Sequence, residues 1–146
     1  MGQALDLARD TPFLGKPQSY RLSAAQGGVA PFTALIGAST NAKVRLRTRG
    51  ASQIVARAKG TVVGTVTIQL YPMLADALQD DTKGTRSGFR DDGTAVPAAV
   101  ALVSGTEAIV KLALAGVDYV EFEIAVAAAS SFDPTAAASF VDVAVN

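Results

Sequence analysis

The side chains here that could do chemistry are carboxylates, amines, guanidinium groups and hydroxyls, because the 146 residues include no histidine and no cysteine. That composition removes together the commonest general base, the commonest zinc ligand, thiolate nucleophiles and disulfides. What remains is a carboxylate dyad, a Ser–Lys pair or tyrosine-based chemistry. Lys16 near Ser19 and Lys83 near Ser87 are neighbours in sequence only, and no serine sits on a GxSxG turn. No Walker or dinucleotide glycine pattern occurs. The expectation is a protein that is not an enzyme and uses no cofactor. Asp80-Asp81 and Asp91-Asp92, in the stretch QDDTKGTRSGFRDDGTAVP (79–97), are the carboxylates grouped as a hard cation would want them. No Glu follows DDGT at the EF-hand distance, so the stretch reads as a long solvated or partner-clasping loop rather than a metal site.

The second polar concentration is KVRLRTRG, residues 43–50. Lys43, Arg45, Arg47 and Arg49 alternate with Val44, Leu46 and Thr48, which is the period of a β-strand with one apolar and one basic face. Across Gly50-Ala51-Ser52, the segment 53–59 adds Arg57 and Lys59. A hairpin with that three-residue loop pairs Leu46 with Ala56 and Thr48 with Ile54 on the inner face. It also sets Arg45 opposite Arg57 and Lys43 opposite Lys59 on the outer face, a like-charge arrangement that costs about 0.2–1 kcal/mol per pair. Six cations would then share one face with no acid of their own.

Net charge is zero, yet residues 1–73 carry nine cations against two acids, and residues 74–146 four cations against eleven acids. Such a split points to complementary contacts. The candidate contact residues are Lys43, Arg45, Arg47, Arg49, Arg57 and Lys59 on the basic side, with Glu123, Asp91 and Asp92 on the acidic side. Three readings of the basic face stand: a solvated surface partly balanced by acids from the second half of the same chain, a contact for the acidic flank of a sister subunit, or a contact for nucleic acid. Against nucleic acid stand the lack of interleaved aromatics for stacking and the zero net charge.

The elements that must position these groups read as strands: 18–24, 43–49, 53–59, 62–71, 98–103, 106–114, 117–126 and 139–145. Their separators are Gly50, Gly60, Pro72, Asp92-Gly93, Ser104-Gly105 and Gly116. This spacing predicts a mainly-β fold, a single antiparallel β-sandwich or barrel-like domain over 18–146. Residues 1–17 read as an irregular N-terminal arm, and 3–9 and 73–80 as short helices. Gly64, inside GTVVGTVTIQLYP, marks a bulge or a close neighbour. Around Ala115-Gly116-Val117, a three-residue loop would pair Leu112 with Val120 and Lys111 with Glu121, leaving Glu123 opposite Ile109 without a counterion. Hydrophobic residues make up 49% of the chain, heavy in Ala and Val, and charged residues 18%, so a close-packed small-residue core is expected. MGQALDLARDTPFLGK, with Asp6 and Asp10, does not read as a secretory signal, and no apolar run approaches the ~20 residues of a membrane span.

An Ala/Val/Thr/Gly-rich β domain without Cys or His, with the late segment GTEAIVKLALAGVDYVEFEIAV, resembles the structural accessory proteins of tailed bacteriophage particles. The resemblance covers roughly residues 43–145 and carries no functional residue over. It implies a capsid decoration (cement) protein, typically trimeric, made in the host cytoplasm and located on the capsid surface. The partners it implies are further copies of the chain and the major capsid protein or another virion protein. A tail or head-fibre base component is the alternative within the same resemblance. A carbohydrate-binding or cell-surface recognition module on the same fold is the rival, for which exposed aromatics are few (6% of residues, no Trp).

Overall fold

The computed structural model describes residues 5–6, 18–24, 28–48, 50–73, 86–90, 93–114, 117 and 119–146. Arg49, Asp91, Asp92, most of the predicted 73–80 helix and all of the predicted arm except Leu5 and Asp6 lie outside them. The strands are β1 (Leu5–Asp6), β2 (Gln18–Arg21), β3 (Thr40–Arg47), β4 (Gln53–Lys59), β5 (Thr61–Val63), β6 (Val66–Met73), β7 (Val100–Ala101), β8 (Ala108–Ala113), β9 (Tyr119–Val126), β10 (Ser131–Asp133) and β11 (Phe140–Val145). The mainly-β, antiparallel expectation holds, and no helix occurs among the described residues. Leu5–Asp6, expected in a helix, pairs in parallel with Val44 and Arg45 of β3. Met73, the expected start of the second helix, ends β6.

The strands form two main sheets, ordered β1-β3-β9-β6-β7 and β2-β11-β4-β8, with a two-stranded ribbon β10-β5. Both predicted hairpins are therefore corrected. β3 pairs with β9 and β4 with β8 and β11, so consecutive strands on either side of Gly50-Ala51-Ser52 lie in different sheets. The same is true of β8 and β9: Lys111 sits opposite Val55, not Glu121. Turns make these crossings side by side. The Thr48 hydroxyl donates to the Val117 carbonyl (3.1 Å), and the Leu114 N–H donates to the Ser52 carbonyl (2.9 Å). The inward/outward assignment survives the correction, because Val44, Leu46, Ile54 and Ala56 all enter one core. They meet across the core rather than along a shared ladder.

The topology has a simple rule. Arg21 pairs with Asp142, Ile36 with Phe132, Arg45 with Glu121, Arg57 with Ile109 and Ile68 with Val100. Each step forward in the first half is matched by a step back in the second, so the paired residue numbers add to nearly the same total throughout. The chain is one long antiparallel hairpin, rolled so that its successive strand pairs alternate between the two sheets. β2, β3, β4 and β6 pair with β11, β9, β8 and β7 in turn, which is the strand order of a jelly roll.

Both sheets supply the core. Val44, Leu46, Ile68, Leu70, Phe122 and Ile124 come from the first, and Ile54, Ala56, Val110, Leu112, Val141 and Val143 from the second. The Phe32 ring stacks on Phe122 at 5.7 Å. Gly64 separates β5 from β6 at a positive φ of 74°, and a Cβ there would run into the Ser130 side chain. Ser130 occupies that space because its hydroxyl accepts the Thr65 N–H (2.9 Å). The kink therefore needs both the conformation and the volume of glycine.

Candidate functional site

The expected six-cation face does not exist as one surface. Lys43, Arg45 and Arg47 point outward from β3, whereas Arg57 and Lys59 point outward from β4 in the other sheet. The reason is the crossing between the sheets, which removes the like-charge pairs that a hairpin would have imposed.

On the first sheet the outer face carries a partly buried ionic network. Antiparallel register sets Arg45 opposite Glu121 and Lys43 opposite Glu123. Arg45 Nε donates to Glu121 Oε2 at 3.2 Å, with the two residues only 8% and 2% exposed. Arg86, from between β6 and β7, adds to the network. Its Nε donates to Glu121 Oε1, and its terminal nitrogens grip both oxygens of Glu123 at 3.1 and 2.6 Å. The guanidinium also lies 4.4 Å from the centroid of the Tyr71 ring. Burial works to lower the affinity of Arg86 for its proton, but the hydrogen bonds and charges of Glu123 and Glu121 outweigh it and hold the group above its ordinary value. Glu123, expected without a counterion, is thus clamped by an arginine thirty-seven residues away in sequence. Gln69 donates to the Pro97 carbonyl, while its own Oε1 accepts the Leu70 N–H (2.7 Å). Arg47 reaches the Tyr119 hydroxyl at 3.3 Å.

Glu121 and Glu123 are therefore engaged by guanidinium groups on a buried face, and Arg86 and Pro97 are held against the sheet. The chemistry of this arrangement is that of a clamp: multidentate, charge-assisted hydrogen bonds in a desolvated setting.

The second sheet presents a different outer face. Its residues remain exposed or half-exposed: Ser19 and Arg21 on β2, Phe140, Asp142 and Ala144 on β11, Val55, Arg57 and Lys59 on β4, Ile109 and Lys111 on β8. Asp142 lies between two arginines: Arg21 donates to it through Nε and, at 2.9 Å, through Nη2, and Arg57 Nη2 approaches at 3.5 Å. Arg57 also lies 3.8 Å from Glu107. Both guanidinium groups pack over the Phe140 ring, at 5.2 and 5.5 Å from its centroid.

Of the predicted contact residues, Lys43, Arg45, Arg47 and Glu123 belong to the first face and Arg57 and Lys59 to the second, while Arg49, Asp91 and Asp92 lie outside the described residues. Reading by neighbouring strands missed Arg86, Gln69, Arg21, Asp142 and Phe140. A signal for two of them was available: a first half rich in cations and a second rich in acids is what a ribbon pairing Arg21 with Asp142 and Arg45 with Glu121 requires. Among the described residues no group of three or more His, Cys, Asp or Glu is placed to hold a metal ion. No helix among them is long and apolar enough to cross a membrane. No protein-family model matches this chain, and no curated protein matches it.

Proposed function

We propose that this chain is a non-enzymatic structural component of a virus particle: a decoration or cement protein that binds and stabilises a capsid lattice as a homo-oligomer. A trimer is the favoured assembly, and the major capsid protein or another virion protein the favoured partner. The observation that supports this reading best is the jelly-roll order of the strands, an architecture that recurs in viral capsid domains. The exposed outer face of β2-β11-β4-β8 adds to it. Arginines stacked on an aromatic ring beside small apolar side chains are the composition of a protein contact surface. Carbohydrate recognition is the second reading, because jelly rolls also serve as lectins and the same face offers the Phe140 ring.

Immunogold electron microscopy with antibodies raised against the chain, on purified particles from the host that carries it, tests the proposal. Label on the particle surface is the expected result, and label on the tail would move the role to a tail or fibre component. Particles free of label, together with binding of the isolated chain on a glycan array, would replace the structural reading with the lectin one.

A further inference from the structure

The two sheets treat their outward charges differently. On β1-β3-β9-β6-β7, Glu121 and Glu123 are buried and matched by Arg45 and Arg86, while Lys43 and Arg47 on that face are half-buried and form no ion pair among the described residues. On β2-β11-β4-β8 the outer face holds Arg21, Arg57, Lys59 and Lys111 against Asp142 and Glu107, two cations in excess. Lys59 and Lys111 have no carboxylate within ion-pair distance among the described residues, whereas both acids on this face already serve arginines. Ser19, Ala144 and Val55 form a row of small side chains across three strands, and Ile109 is 43% exposed on the neighbouring strand. This is a surface with a positive surplus, and the paired strands of the same chain do not answer it.

The acids that would answer it are present in the sequence. Of the eleven in the second half, Glu107, Glu121, Glu123 and Asp142 hold cations within the fold. Five others, Asp76, Asp80, Asp81, Asp91 and Asp92, cluster between β6 and β7, beyond the described residues. Arg86, in the same stretch, is already committed to Glu121 and Glu123, so Lys83 and Arg90 are the other cations set among five aspartates.

We infer that the outer face of β2-β11-β4-β8 is a subunit interface that receives the acidic 76–92 segment of a second copy. The inference rests on the assembly role proposed above and names its contact. Two copies cannot meet through this face alone, since each brings the same positive surplus. The contact therefore joins two different surfaces, either head to tail, as in a ring, or reciprocally about a twofold axis.

Light scattering of the purified chain across protein concentration, at low and at high salt, is the first test. The expected result is an oligomer that dissociates as salt rises, because exposed ionic contacts are screened. Lys59→Glu with Lys111→Glu weakens association at least about tenfold, since two attractive contacts become repulsive. Asp80→Lys with Asp81→Lys does the same from the other side, and mixing the two reversed variants restores the assembly. Lys59→Gln with Lys111→Gln gives a smaller loss and replaces the reversed variant if circular dichroism shows that one unfolded. A wild-type chain that stays monomeric, reversed variants that associate like wild type, or a mixture that does not recover each overturns the inference. None of these outcomes alters particle labelling, so the interface can fail while the virion role stands. A salt-sensitive oligomer that responds to the reversals, together with unlabelled particles, would uphold the interface and remove the virion role.

Discussion

Replacing Arg86 with Met removes one cation from two buried carboxylates and leaves their fates unequal. Glu121 keeps Arg45 at 3.2 Å, but Glu123 loses both of its hydrogen bonds to guanidinium nitrogens. Lys43 stands opposite Glu123 in register without forming an ion pair with it. A carboxylate whose side chain is 5% exposed is then left without a counterion. Removing one partner of a buried pair costs about 3–5 kcal/mol. Arg86 is itself partly exposed, so the lower end, about 3 kcal/mol, is the expectation, and for a chain of this size that is a fall in Tm of about 6–12 °C. Wild-type Arg86 is held above its ordinary value, so its contribution is complete below that value and is lost only at extreme alkaline pH. The wild-type clamp therefore supplies a constant contribution from neutral to mildly alkaline pH. Adding Glu123→Gln to Arg86→Met should recover most of the loss at neutral pH. Urea unfolding of the two single variants and the double variant, followed by circular dichroism, measures the coupling. A loss under about 1 kcal/mol for Arg86→Met, or no recovery in the double variant, would refute the clamp.

Three further outcomes follow from single positions. Gly64→Ala should destabilise by about 2–3 kcal/mol in urea unfolding, combining a left-handed backbone with displacement of the Ser130 hydroxyl from the Thr65 N–H. Ala138, in the turn between β10 and β11, has φ of 63°, a conformation that disfavours any Cβ, so Ala138→Gly should be neutral or stabilising by up to about 1 kcal/mol, unlike glycine substitutions within the strands. Asp133 is held below the usual carboxylate range, first by the Thr135 hydroxyl and then by the Thr135 N–H. Its contribution is present above the unfolded carboxylate value and disappears as pH falls through the depressed one. Melting curves of Asp133→Ala and wild type should therefore differ at neutral pH and converge at strongly acid pH.

The periodicity of single strands was legible from the residues, and their partners were not. Alternation in KVRLRTR correctly assigned Val44 and Leu46 to the core and Lys43, Arg45 and Arg47 to the outside. Phe140, Asp142 and Ala144 likewise face away from the core on β11, while Val141, Val143 and Val145 enter it. What a period of two cannot say is whether the next apolar set lies beside the first on a ladder or across from it in a second sheet. Both arrangements satisfy Leu46 with Ala56 or Leu112 with Val120, because both bring like faces together. The short loops at Gly50 and Gly116 favour a hairpin on length alone. The like-charge pairs that such a hairpin forces on Arg45 and Arg57 were the feature that spoke against it.

The charge split decides between the two arrangements, and it does so through topology. If consecutive strands paired, acids and cations would need to alternate along the chain from strand to strand. In a chain rolled from one long hairpin, residues far apart in number are neighbours, and complementarity then demands that the two halves differ in sign. Arg21 with Asp142, Arg45 with Glu121 and Arg57 with Glu107 each join a cation of the first half to an acid of the second. A +7/−7 asymmetry in a β chain is thus first a record of which strands pair, and only its remainder speaks about partners. That remainder includes Lys43 and Arg47 on the first sheet, Lys59 and Lys111 on the exposed face of the second, and the aspartates between β6 and β7 in sequence. The face most open to a partner is therefore less the strand that looks most basic, where Arg45 is buried against Glu121, than the exposed sheet on the opposite side of the core.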